Sequence, residues 1–181
     1  MNTPPERFRV GRVRVGRVRV GRIGPDEWAS YREVRLAALA DTPLAFSSSL
    51  ERERAFDEET WRGRLGSAAT FLAWREGAPA GTVTVLPYDE SQRHGVSGAA
   101  HLVAMWVTPD ARRLGIGRQL VEAVFGEARA MGAPAVVLWV FEDNDRARGL
   151  YEEMGFRATE LRDSPPDRPE DAEILMVREL A

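Results

Sequence analysis

Residues 99–141 constrain the fold more than any other part of the chain. Ala99 to Val107 reads as a buried strand, and Ala135 to Phe141 is a near-continuous apolar run. A strand with almost no polar positions needs cover on both faces, which a half-solvated sheet does not supply. Between the two lies a helix pattern from about Gly117 to Met131. It sets Leu120, Val121, Val124, Phe125 and Ala128 on one face, and Gly132 follows as a left-handed cap. Strands of this kind on either side of a one-faced helix predict a mixed α/β fold.

The flanking sequence extends the pattern. A strand is expected over Arg17–Ile23. Pro25 then opens a helix that runs to Ala40, with Asp26 and Glu27 in the first turn, where the helix dipole favours acids. Asp41-Thr42-Pro43 breaks it. Further helical stretches cover about Ser47–Arg54 and Asp57–Leu65. Strands at Ala69–Arg75 and Gly81–Pro87 flank a turn at Glu76-Gly77-Ala78-Pro79. Tyr88–Ser97 is a polar loop. Arg146–Met154 is a short helix capped by Gly155, and Phe156–Arg162 and Ala172–Leu180 are the last strands. The predicted order is β-α-α-α-β-β-β-α-β-α-β-β. At 181 residues and 44% apolar content, this suits one domain over residues 17–181.

Residues 1–16 stand apart as a basic arm. Val10-Gly11-Arg12-Val13-Arg14 recurs at 15–19 and, as Val-Gly-Arg-Ile-Gly, at 20–24. The five-residue period is odd, so successive copies present opposite strand faces, and one copy at most fits a strand in register. Residues 1–24 carry seven arginines and one glutamate, a charge of +6, and the remaining 157 residues carry −9. The arm reads as a tandem duplication with no function, or as a cationic arm for nucleic acid or a membrane surface, since clustered arginines attract phosphates. It lacks the interleaved aromatics of single-strand binders, so nucleic acid is not favoured as a partner. The longest apolar run, Ala133 to Phe141, is nine residues, against the ~20 that a membrane-spanning helix needs. A soluble, cytoplasmic protein is expected.

Composition removes several chemistries. There is no lysine, so no P-loop or Schiff-base lysine, and no cysteine, so no thiolate nucleophile and no cysteine-bound zinc. The histidines, His94 and His101, are too few for a histidine-built metal cage, and no metal is expected.

The segment from Val107 to Arg118, Val-Thr-Pro-Asp-Ala-Arg-Arg-Leu-Gly-Ile-Gly-Arg, runs from a buried strand through a glycine-spaced loop directly into a helix. Such a junction aims backbone N–H groups and a positive helix end at one place, which suits phosphate. Arg112, Arg113 and Arg118 add charged donors. The bland alternative is a loop that needed glycine for its turn. The spacing goes further: Arg112-x-x-Gly115-x-Gly117 resembles the Arg/Gln-x-x-Gly-x-Gly/Ala signature of the GNAT acetyltransferase superfamily. Asn144, Ala147 and Leu150-Tyr151-Glu152-Glu153-Met154-Gly155-Phe156 are similar to its Asn-x-x-Ala-x-x-Leu-Tyr-x-x-x-Gly-Phe segment, and Arg35–Leu39 with Asp41-x-Pro43-x-Ala45-Phe46 is similar to many bacterial members.

The resemblance implies a mixed, mostly antiparallel sheet flanked by helices, whose fourth and fifth strands splay around acetyl-CoA as co-substrate. It implies that Met105, Trp106 and Val107 pair with the pantetheine amides. Arg112, Arg113, Leu114, Gly115, Ile116, Gly117 and Arg118 would hold the pyrophosphate, and Asn144 the pantetheine arm. Asn144 also reads as a helix N-cap. Tyr151 would protonate the departing thiolate, or else it only packs against the fifth strand. Without cysteine, the amine attacks the thioester directly.

The resemblance implies as acceptor a primary amine of a small molecule or a peptide. Glu51, Glu53, Asp57, Glu142 and Asp143 are candidate bases, the first three reading rather as a solvated helix face, and His101 as a core residue. Trp61, Trp106 and Trp139 read as core and as candidate pocket walls. Asp163, Asp167, Glu170, Asp171 and Glu173 make an acidic loop that reads as a solvated surface loop or, where the resemblance puts the acceptor entrance, as one that would attract a cationic amine. A homodimer is compatible with the resemblance. An acyl-CoA sensor or pseudoenzyme, and a nucleic-acid-associated acetylase using the arm, remain the alternatives.

Overall fold

The structure is a computed structural model that describes residues 17–88, 96–164 and 170–180. The 1–16 arm, His94 and Asp167 lie outside these residues. Seven strands form one sheet in the order β1-β2-β3-β4-β5-β7-β6. β1 (Val18–Ile23) pairs antiparallel with β2 (Ala69–Arg75), from Val18 opposite Arg75 to Ile23 opposite Thr70.

The following hairpin differs from expectation. Glu76 and Gly77 alone make the turn, at φ 55° and 87°, and β3 runs from Ala78 to Pro87 rather than from Gly81. Two successive left-handed residues reverse the chain with the twist that an antiparallel pair needs. Pro79 lies within β3, next to a register shift at Ala73/Trp74.

Three helices cover one face. α1 (Trp28–Asp41) follows a 3-10 turn at Pro25–Glu27. α2 (Leu50–Arg54) begins three residues later than expected, because the Ser49 side chain accepts from Arg52 N–H and caps it there. α3 (Glu58–Ser67) is capped by Asp57. Tyr31, Val34, Ala38, Trp61 and Leu65 of α1 and α3 bury against Leu72 and Trp106.

α4 (Ile116–Ala130) covers the other face. Its predicted apolar stripe, Leu120 to Ala128, is fully buried against the sheet. β5 (Ala135–Phe141) is apolar because both its faces are covered. Val136, Leu138 and Val140 meet the α4 side, while Ala135 and Val137 pack with Leu175 on the other.

β4 (Ala100–Val107) and β5 pair in parallel at only Ala100–Val136 and His101–Val137. Beyond that point the strands part. β4 also carries a bulge there: Ala104 and Met105 oppose the single Val83, with Ala104 at φ 53°. Such a bulge bends the strand and re-aims its backbone groups. α5 (Asp145–Glu153), β6 (Arg157–Asp163) and β7 (Glu173–Glu179) complete the chain, with β7 inserted between β5 and β6. No described helix is long and apolar enough to cross a membrane.

Candidate active site

The parted edge of β4 lies beside the start of α4, and the sequence 107–118 connects them. Val107 ends β4, a 3-10 turn covers Pro109–Ala111, and Arg113 and Gly115 both adopt positive φ, 64° and 79°. These two left-handed residues turn the chain directly into α4. Gly115 is its N-cap and has no side chain to offer, so the first recorded amide bond is Gln119 N–H to Gly115 C=O at 3.2 Å. The amides of Ile116, Gly117 and Arg118 therefore have no side-chain cap and stand at the positive end of a 15-residue helix. Around Gly115 a side-chain carbon would meet nothing within 4 Å, so the space beside that residue is open. Gly117 is the reverse case: a Cβ there would lie 3.0 Å from Leu150 and 3.4 Å from Met105, so glycine lets α4 approach α5 and β4.

The three arginines do different things. Arg113 is exposed and has no partner among the described residues. Arg118 pairs with Glu153 at 2.7 Å and donates to Met154 Sδ. Arg112 donates from Nε to the Val107 carbonyl at 2.9 Å and pairs through its other arm with Asp41. The guanidinium left free for a bound anion is Arg113. Leu114 packs on the main core and Ile116 is fully buried.

Asn144 caps α5, its Oδ1 accepting from Ala147 N–H at 3.1 Å. Tyr151, on α5, is buried with its ring edge-on to Phe156. Its hydroxyl has no hydrogen bond among the described residues, yet it is not among the side-chain atoms sealed from solvent. Burial pushes it well above the ordinary tyrosine range, so the proton stays on the oxygen.

The structure sorts the candidate bases. Glu53 is not on a solvated helix face: it is fully buried, with both carboxylate oxygens held by Arg35 at 2.8 and 3.0 Å and one by Arg64 at 2.9 Å. Burial favours its neutral form, but the Arg35 hydrogen bonds and the Arg35 and Arg64 charges outweigh this and hold it below its usual range. Glu51 is exposed, and Asp57 is committed to capping α3. Glu142 pairs with Arg162. His101 stacks edge-on to Tyr88 at the far end of β4, roughly 20 Å along the strand from Val107 at ~3.3 Å per residue. Trp61 and Trp106 are core, and Trp139 donates to the Tyr88 hydroxyl at 3.3 Å. A surface cavity of about 520 Å³ lies elsewhere, along β6 and β7 beside Gly155 and Arg178.

The acidic side chain that reading the sequence missed is Asp41, which links the end of α1 to Trp106 and Arg112. A signal was present. An acid in the last turn of a helix opposes the dipole and calls for a cation.

Residues 33–156 match the sequence profile of the Acetyltransferase (GNAT) family. Over 136 residues the chain is 34% identical to a mycothiol acetyltransferase of Geodermatophilus obscurus, an alignment that covers 74% of this chain and 42% of that protein. The chain thus spans less than half the length of that relative. The fold is shared with an acetyltransferase of the GNAT family from Streptococcus pneumoniae, at a TM-score of 0.74 and 20% identity over 91% of this chain and 100% of that one. It is shared also with the PaiA N-acetyltransferase of Thermoplasma acidophilum in complex with coenzyme A, at a TM-score of 0.67 and 13% identity over 91% and 99%.

Proposed function

The chain belongs to the acetyltransferase (GNAT) family, and from that premise we propose that it moves an acetyl group from acetyl-CoA directly to a primary amine of a small molecule or peptide. The observation that carries this reading is the opening where β4 leaves β5, set beside the uncapped start of α4. An extended chain bearing amides and ending in phosphates fits it: unpaired strand edge for the amides, helix N-terminus and Arg113 for the phosphates. On this reading the pantetheine runs past Met105, Trp106 and Val107, and the pyrophosphate sits over residues 113–118.

In the reaction the amine nitrogen attacks the thioester carbon and the carbonyl oxygen becomes an oxyanion. A backbone N–H of Trp106 or Val107 stabilises that charge. The carbon–sulfur bond then breaks and the thiolate takes the Tyr151 proton, while the surplus proton on the attacking nitrogen passes through water to the Tyr151 oxygen, so that amide, thiol and phenol all end neutral. Two features support that role: the hydroxyl has no competing partner among the described residues, and burial keeps it protonated. With no cysteine in the chain, transfer runs within a ternary complex without an acyl-cysteine intermediate. Glu53 takes no part in proton transfer, since both its oxygens are bonded and sealed.

The test is release of CoA from acetyl-CoA across an amine panel, run beside calorimetry with CoA. The panel contains amino acids, polyamines, peptide N-termini and the acceptor of the mycothiol acetyltransferases. Turnover with at least one amine is expected. Tight CoA binding with no turnover on any amine would replace this reading with that of a sensor.

A further inference from the structure

Asp41 closes α1 at the place where a carboxylate is least welcome to the helix dipole. Its partners lie far away in sequence. One oxygen, Oδ2, accepts the Trp106 indole N–H at 2.9 Å and also pairs with Arg112. Arg112 in turn donates from Nε to the Val107 carbonyl at 2.9 Å. One carboxylate thus holds the side chain of Trp106 directly and the peptide after Val107 through a guanidinium. These are the last two residues of β4, on the stretch that has left β5 and has no strand to fix it on that side. On the opposite side the approach is tight: a Cβ at Gly81 would lie 2.8 Å from the Trp106 carbonyl. The end of β4 is thus pressed against β3 from one direction and tied to α1 from another.

We propose that Asp41 is a positioning residue for acetyl transfer. Acting through Arg112 and Trp106, it sets the orientation of the Trp106 and Val107 peptides that face the thioester, and so joins helix α1 to the CoA groove. The inference rests on the functional reading above. It gives the motif arginine a second task, since Arg112 holds backbone as well as lying in the phosphate-side loop. Asp41 touches neither substrate in this account.

The test compares Asp41→Ala, Arg112→Ala and the double variant with the wild-type chain, by calorimetry with CoA, steady-state kinetics with the best amine, and thermal melting. Each single variant is expected to raise the Kd for CoA about fivefold and lower kcat about tenfold, because small misplacements of reacting groups are costly. The double variant is expected to be no worse than the poorer single one, as for two members of one linked unit. Asp41→Asn still offers an oxygen to the indole and should fall between wild type and Asp41→Ala. Losses that multiply in the double variant would overturn the proposal. So would unchanged Kd and kcat, whether or not the melting temperature falls. A wild-type chain that binds CoA but acetylates no amine removes the functional reading and leaves Asp41 to be judged by the calorimetry. One that binds no CoA removes both.

Discussion

Tyr151 shows how a side chain can be buried and still available. Its ring is packed against Phe156, while its hydroxyl carries no hydrogen bond among the described residues. Removing that oxygen should leave the packing nearly intact. Tyr151→Phe is therefore expected to lower kcat by about 10²-fold, with the Kd for CoA essentially unchanged, as read by steady-state kinetics beside calorimetry. An unchanged kcat would return the tyrosine to a packing role. At this scale the sequence was a good guide to which residues gather at the β4–α4 junction, because glycine spacing and a left-handed cap are local properties. It was a poor guide to what each arginine does. Arg112, Arg113 and Arg118 look alike in sequence, yet one ties backbone to Asp41, one has no partner among the described residues and one crosses to Glu153. Those partners come from α1 and α5, so only the assembled fold distinguishes them.

The elements of the α1–α3 layer are held by a charge cluster rather than by apolar contact alone. Glu53 of α2 joins Arg35 of α1 to Arg64 of α3, and the two guanidinium groups also lie over the Phe46 and Phe56 rings, at 4.6 and 4.8 Å. Taking away one member of a buried set leaves the others uncompensated, so Glu53→Gln should cost about 3–5 kcal/mol and lower the melting temperature by roughly 10 °C. The pH dependence follows from the lowered Glu53 value. A carboxyl whose folded value lies below its unfolded one contributes stability above the unfolded value, about 4.3. That contribution disappears as pH falls through the folded value. The gap in stability between wild type and Glu53→Gln should thus be constant above about pH 5 and narrow in acid, as read by melts across pH. Leu-Glu-Arg-Glu-Arg has no apolar stripe to mark an inward face, which is why Glu53 reads as solvated from sequence. Its burial is created by α1 and α3 closing over a helix of five residues. The order of elements, by contrast, was legible throughout. What it did not carry was the insertion of β7 between β5 and β6, since pairing partners far apart in the chain leave no local mark.

For the molecule as a whole, all six residues of β1 pair with β2. Deleting residues 1–16 is expected to leave kcat and the KM for acetyl-CoA within about twofold of the full chain. A large rise in that KM would make the arm part of the enzyme, and RNA or DNA affinity that falls steeply with salt and vanishes on deletion would give it a separate task. The two ladder pairs between β4 and β5 have a consequence of their own. They make the sheet a pair of plates, β1–β4 and β5–β7, stitched at one end and unlaced at the other. A ligand lying in the unlaced half would act as lacing, contributing rungs that no strand provides. Native-state hydrogen exchange should register this as local protection: those amides of 103–107 that point away from β3 are expected to exchange far more slowly once CoA is bound, while those already laddered to β3 or, at 136–138, to β7 change little. On this account the substrate is for a time a structural member of the sheet, and every turnover opens a seam that its binding had closed.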